Sequence, residues 1–246
     1  ILGDTIEKIS REKAGIIKKN TPIYIFEQNE NIIEIIKKRS AKNNAPLTII
    51  KSNDIGIDAV DKIGSIFKYK SYNIKLPFIG GHQVQNCVLA IDIAEFVLKS
   101  INEKILNKAI SKLSWPGRME NLSDKNIYYD VAHNYDGIRT LIKTVKKIHP
   151  KKKIVGLFCI KADKKIEIIF DLLKKHFTEI IICQDKEKHL TSVKSLSKLL
   201  KNKKIQFLKA KSVKQGITIL KNKNMEDYVR LIFGSHYIAK EVYSEF

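Results

Sequence analysis

Two stretches of this chain set acids, imidazoles and hydroxyls directly behind runs of strand-forming residues. One is YYDVAHN at 128–134, which delivers Asp130, His133 and Asn134; the other is LIFGSHY at 231–237, which delivers Gly234, Ser235 and His236. In open parallel sheets, ligands collect at the carboxyl ends of strands. Asp, Asn and Ser also cap the helices that follow strands, so each stretch alone could be ordinary capping. Two on one rim, both with a histidine, keep a ligand site open. A third candidate is Lys13 in ISREKAGIIKKN at 9–20. Ile6, Ile9 and Lys13 fall at i, i+3 and i+7 of an expected helix and share a face. A lysine there either snorkels its amine back to water or is desolvated towards a neutral amine, and the spacing by itself favours the first.

The elements that would position these groups are legible as rhythm. The first helix is expected to open at Asp4, with Glu7 three residues on, and to stop at Gly15 in a left-handed conformation. TPIYIF at 21–26 and LTIIK at 47–51 read as strands flanking a helix over 29–45. Residues 64–78 alternate around Lys70-Ser71 as a hairpin. An apolar segment over 83–100 predicts a long, well-buried helix, and Asn102 caps another that ends near Leu113. Past SWPGR at 114–118 the pattern becomes regular. NIYYDV, KKIVGLFC, EIIIC, KIQFL and YVRLIFG alternate with helical segments, as in a mostly parallel sheet covered on both faces. The fold class is therefore α/β, with domains expected at 1–113 and 114–246.

The chain has 246 residues, 43% of them hydrophobic, enough for a real core. No apolar run approaches the length of a bilayer crossing. Its start lacks the layout of a signal peptide and opens inside structured sequence, so it is expected to begin within a longer, cytoplasmic protein. A net charge of +20 invites a nucleic-acid module. The lysines, however, are spread through every segment beside many isoleucines and asparagines, and the short clusters lack interleaved aromatics. Cys87, Cys159 and Cys183 have no CxxC spacing and read as buried, reduced thiols. There is no GxGxxG after a strand, no GxxxxGK[ST] and no HExxH. GGHQVQN at 80–86 puts two glycines before a helix, a weak anion-site signal.

Taken in order, LGDTIEKISREKAGIIK, LPFIGGHQVQN, WPGRMENLS, DVAHNYDG and FGSHYIAKEV resemble the folylpolyglutamate synthase/dihydrofolate synthase family of the Mur ligase superfamily, across residues 2–242. The resemblance implies the carboxyl part of a P-loop-type ATPase domain, without its phosphate loop, over 1–113. A Rossmann-like glutamate-ligase domain would follow over 114–246. It implies ATP-dependent joining of L-glutamate to dihydropteroate or a folate through an acyl phosphate, with Mg2+, in a protein that is monomeric at full length. No nucleic acid or membrane partner is expected. A muramyl-peptide ligase of the same superfamily is the rival enzyme, disfavoured by WPGR and GGHQVQN together.

Residue by residue, the resemblance makes Lys13 a carbamylated lysine, catalytic and magnesium-binding, since a carbamate supplies the hard oxygen that magnesium prefers. Asn86 would lie near the adenine, Arg118 at the phosphates and Asp130 on the nucleotide side of the second domain. His133 and Ser235 would hold the incoming glutamate, with His133 also counted as catalytic. The upstream phosphate loop and magnesium ligands are not among these residues, so these 246 residues alone are expected to be inactive.

Overall fold

The computed structural model describes residues 5–123, 126–161 and 166–246. They cluster into two units: one of 1–59, 66–76 and 82–112, the other of 60–65, 77–81 and 113–246.

The first unit begins with α1 (Ile6–Ala14), which Thr5 caps by accepting the Lys8 N–H at 3.2 Å. Asp4, the expected cap, lies outside the described residues. The buried face of α1 is not the expected one. Ser10 and Ala14 turn inward, and Ala14 packs with Ile17 and Ala45, whereas Ile6 is 56% exposed and Lys13 is exposed. Small residues at i and i+4 admit closer packing than the isoleucine stripe, so Lys13 is not desolvated. Gly15 stays right-handed at φ −60°, contrary to the expected left-handed stop. Its role is close approach: a Cβ there would sit 2.8 Å from the Glu12 carbonyl oxygen. Strands β1 (Ile23–Phe26) and β2 (Leu47–Ile50) pair in parallel around α2 (Glu30–Lys42), which Asn29 caps at 3.0 Å.

Strands β3 (Ile55–Val60), β4 (Ser65–Tyr69) and β5 (Tyr72–Leu76) form a second sheet in chain order. The β4–β5 turn holds Lys70 at φ +53°. That turn is fastened to α3 (Gly81–Leu98): Lys70 Nζ lies 2.6 Å from Asp92, the Tyr69 hydroxyl donates to Asp92 at 2.9 Å, and the Tyr72 hydroxyl donates to Glu95 at 2.7 Å. Such a network satisfies the buried Asp92 carboxylate, which alone would be costly to bury. Only one side of α3 is buried, through Val84, Cys87, Val88 and Ile91. Ile93, Phe96 and Val97 are exposed, because the sheet covers a single face of a helix that is apolar all round. Helix α4 (Glu103–Ile110) follows, capped by Asn102 at 2.8 Å.

The second unit is built on a six-stranded sheet. Its elements run β6 (Glu120–Ser123), β7 (Ile127–Asp130), α5 (Tyr135–Ile148), β8 (Lys153–Phe158), α6 (Ile166–His176), β9 (Phe177–Ile182), α7 (Val193–Asn202), β10 (Phe207–Lys209), α8 (Val213–Lys221), β11 (Tyr228–Phe233) and α9 (Ala239–Tyr243). The spatial order is β10-β9-β8-β11-β7-β6, parallel except for β6. Alternate side chains serve opposite layers. Tyr128, Ile154, Phe158 and Leu231 pack with Ile138, Phe170 and Leu196 of α5, α6 and α7. Tyr129, Val155, Leu157 and Ile232 pack with Val213, Ile217 and Val242 of α8 and α9. Each such large side chain contributes roughly 1.5–3 kcal/mol when taken from water. The five runs read as strands are all strands here, whereas β3, β6 and α9 had no clear signal. Among the described residues no helix is long and apolar enough to cross a membrane.

Candidate ligand site at the carboxyl edge of the six-stranded sheet

Strands β7 and β11 are neighbours in register, with Asp130 beside Phe233. The helix after β7 covers one face of the sheet, and the helix after β11 covers the other. Adjacent strands whose connections diverge leave a crevice at their carboxyl ends. YYDVAHN and LIFGSHY both empty into it.

Asp130 is the best-determined group there. It is 8% exposed, and its carboxylate accepts the Met119 N–H and the Ala132 N–H, each at 2.8 Å. Burial pushes its carboxyl up to about 6, against the pull of the Ala132 and Met119 amides and the charges of Arg118 and His133. Holding Met119 at φ +48° fixes the backbone next to Arg118, whose own side chain is exposed. Gly117, at φ +70°, closes the same turn: its carbonyl accepts the Val131 N–H at 2.9 Å and its N–H donates to Glu120 at 3.0 Å.

His133 is exposed, and its Nδ1 donates to the Val131 carbonyl at 3.0 Å. In the neutral ring this bond leaves Nε2 as the acceptor. Asn134 is the cap of α5, accepting the Gly137 N–H at 2.8 Å. Ser235 is buried; its Oγ accepts the Tyr237 N–H at 3.0 Å, and its carbonyl accepts the Tyr129 hydroxyl at 2.8 Å. Gly234 reaches this position at φ +108°, where a Cβ would come within 2.3 Å of the Cys159 carbonyl oxygen. The structure thus gathers Arg118, Asp130, His133 and Ser235 on one edge of one unit. Lys13 and Asn86 belong to the other unit; Asn86 is exposed on α3 and donates to Gln83 at 3.2 Å.

The same edge carries residues that sequence reading passed over. Asp185, buried behind β9, accepts from the amides of His189 and Leu190 at 2.9 Å each and lies 3.0 Å from His189 Nδ1. Burial works against its charge, but those amides and the His189 ring outweigh it and hold the carboxyl below its usual range. His189 stacks on Tyr237 at 4.8 Å, and Tyr237 on His236 at 4.4 Å. The rule that finds Asp130, an acid just past a strand-like run, also finds Asp185 in IIICQD. Cys159 and Cys183 directly follow β8 and β9 as buried free thiols, and Cys87 is buried and free as well, as read from the sequence.

Residues 117–236 match the model of the Mur ligase family's glutamate ligase domain. The chain is 32% identical over 175 residues to the dihydrofolate synthase/folylpolyglutamate synthase of Bacillus subtilis, a match covering 67% of this chain and 41% of that protein. It is 26% identical over 195 residues to the folylpolyglutamate synthase of Lacticaseibacillus casei, covering 74% and 45%. The chain therefore spans less than half the length of these two relatives. A crystal structure of Mycobacterium tuberculosis folylpolyglutamate synthase complexed with ADP and AMPPCP superimposes with a TM-score of 0.86 at 21% identity, over 99% of this chain and 60% of that one. Residues 117–236, with the sheet that carries Asp130 and Ser235, belong to the Mur ligase family as its glutamate ligase domain.

Proposed function

We propose that this chain serves the ATP-dependent ligation of L-glutamate to the carboxylate of dihydropteroate or of a folate, in a cytoplasmic enzyme of folate metabolism. The carrying observation is the convergence of Arg118, Asp130, His133 and Ser235 at the crevice of a glutamate ligase domain. In the reaction, a pterin-linked carboxylate takes the terminal phosphoryl group of ATP and ADP leaves. The glutamate amine then attacks the acyl carbon, loses a proton, and phosphate departs. Arg118 offsets phosphate charge as it develops. Asp130 holds the backbone that aims Arg118. His133 Nε2 accepts a hydrogen bond from the incoming ammonium group, and Ser235 shapes the glutamate end of the crevice. Residues 1–113 serve as the carboxyl part of the ATP-binding domain, with Asn86 on the adenine side.

Magnesium would neutralise phosphate charge in such a reaction. Among the described residues no group of three or more His, Cys, Asp or Glu side chains is gathered to hold a metal, and Lys13 is exposed. These residues do not by themselves form a magnesium site, and no step is assigned to one. The carbamate reading of Lys13 rests on its EKAG motif. The 246 residues also lack a GxxxxGK[ST] cradle, so they alone should not release phosphate from ATP; release above a heat-treated control would overturn that.

The test of the main reading is incorporation of labelled L-glutamate by the protein as its host makes it. ATP would be supplied with dihydropteroate, tetrahydrofolate or a UDP-muramyl peptide as acceptor. Incorporation into a pterin acceptor is expected. Incorporation only into the muramyl peptide, or into neither, rejects the reading.

A further inference from the structure

Beside β10, at the edge of the six-stranded sheet, runs an open groove of about 540 Å³ lined by Val193, Lys194, Ser197, Lys198, Lys201 and Lys209. It contains four ammonium groups and no carboxylate. Other lysines of this unit are neutralised: Lys203 pairs with Asp171, Lys214 with Glu245 and Lys223 with Glu179. Among the described residues none of the four groove lysines makes an ion pair or a side-chain hydrogen bond, and all four are exposed. Their ammonium groups are therefore available to an acidic ligand.

We propose that this groove binds the γ-linked oligoglutamate tail of a folate, an inference that rests on the ligation proposed above. Spacing supports it. Lys194, Lys198 and Lys201 stand at i, i+4 and i+7 on α7, so they step along the helix by about 6 Å and then about 4.5 Å. A γ-linked glutamate adds two methylenes to the 3.8 Å repeat of an ordinary peptide, which puts its carboxylates roughly 6 Å apart when extended. Carboxylates can then meet successive lysines without folding the tail.

Placement supports it too. Helix α7 starts after the carboxyl end of β9, at the sheet edge that also holds the crevice. From β11 to β10, which flanks the groove, is three strand intervals, about 14 Å. A tail leaving the crevice reaches the groove after roughly two to three γ-linked residues. The groove contains no aromatic side chain on which a nucleic-acid base could stack. Each exposed ion pair is weak and salt-screened, so affinity should grow with tail length.

The experiment measures binding of a fluorescent γ-linked oligoglutamate, about five residues long, to the full chain without ATP or pterin. An α-linked oligoglutamate and an oligothymidylate of equal charge serve as comparators. A K194Q/K198Q/K201Q variant is measured beside the parent, with circular dichroism to confirm its fold. The γ-linked peptide is expected to bind tightest, to weaken as salt rises, and to lose about tenfold in affinity in the variant. Unchanged binding in the variant, no binding by the parent, equal affinity for the α-linked peptide, or tighter binding of the oligothymidylate overturns the proposal. Because neither ATP nor pterin is present, the ligation reading can fail in its own assay while this binding stands, and the reverse.

Discussion

At the scale of single residues, the site separates exposed side chains from buried ones that hold the backbone. Arg118 is exposed; Asp130 is buried and spends both oxygens on the Met119 and Ala132 amides. Arg118→Ala should lower turnover by about 10²–10³, the loss seen when a preorganised charge-stabilising group is removed, with the fold intact by circular dichroism. Unchanged kcat and unchanged KM for ATP would reject its role. Lys13→Ala is the corresponding test of the motif reading in the protein as its host makes it: ligation should be abolished and partly restored by short carboxylic acids, and full activity without additive ends the carbamate idea. Sequence alone showed where Asp130 and Ser235 would emerge, because both follow strand-like runs. It misjudged the buried face of α1, since periodicity marks a stripe of isoleucines but cannot reveal that the smaller Ser10–Ala14 face packs closer.

At the scale of elements, parallel strands announced themselves as apolar runs because both of their faces are covered. Strand β6, with the sequence ENLS, has no such signature; it pairs antiparallel at the edge of the sheet and its burial comes from a neighbour on one side. The β3 segment IGIDAV mixes glycine and an acid into its run and was passed over for the same reason. The turn after β11 makes the sharpest demand. Gly234 combines φ +108° with backbone contact to Cys159, so Gly234→Ala strains the chain and cannot be relieved by moving a flexible side chain. A loss of roughly 2–4 kcal/mol in denaturant unfolding is expected. By contrast Asn134→Ala, which removes only the α5 cap, should cost about 1 kcal/mol. If the two variants unfold at the same denaturant concentration, the conformational argument at Gly234 is wrong.

Across the whole molecule, two buried groups titrate in opposition. His149, 4% exposed, has Nε2 at 2.9 Å from the Tyr128 hydroxyl, and burial with the charges of Lys62 and Lys152 lowers it to about 4. Its depressed value makes the fold lose stability as pH falls from about 6.5 towards 4. Asp130, raised to about 6, does the reverse: the fold takes up that proton before the unfolded chain does, so stability is gained as pH falls through 6 and lost as it rises again. Over the shared window the two effects largely cancel. His149→Gln should therefore gain on the parent by roughly 2–3 kcal/mol between pH 7 and pH 4, read as the difference in unfolding free energy. A difference that stays constant across that range would show that His149 is not held neutral by the fold. The strand order carries a consequence for biosynthesis. Because β11 comes latest in the chain of the six strands yet lies between β8 and β7, synthesis must pass residue 233 before the sheet has a middle. A ribosome stalled at residue 226 would hold two half-sheets with open edges. The crevice between Asp130 and Ser235 is thus among the final features of this unit to exist, and a chaperone that shields nascent β7 and β8 would guard a site still waiting for its second wall.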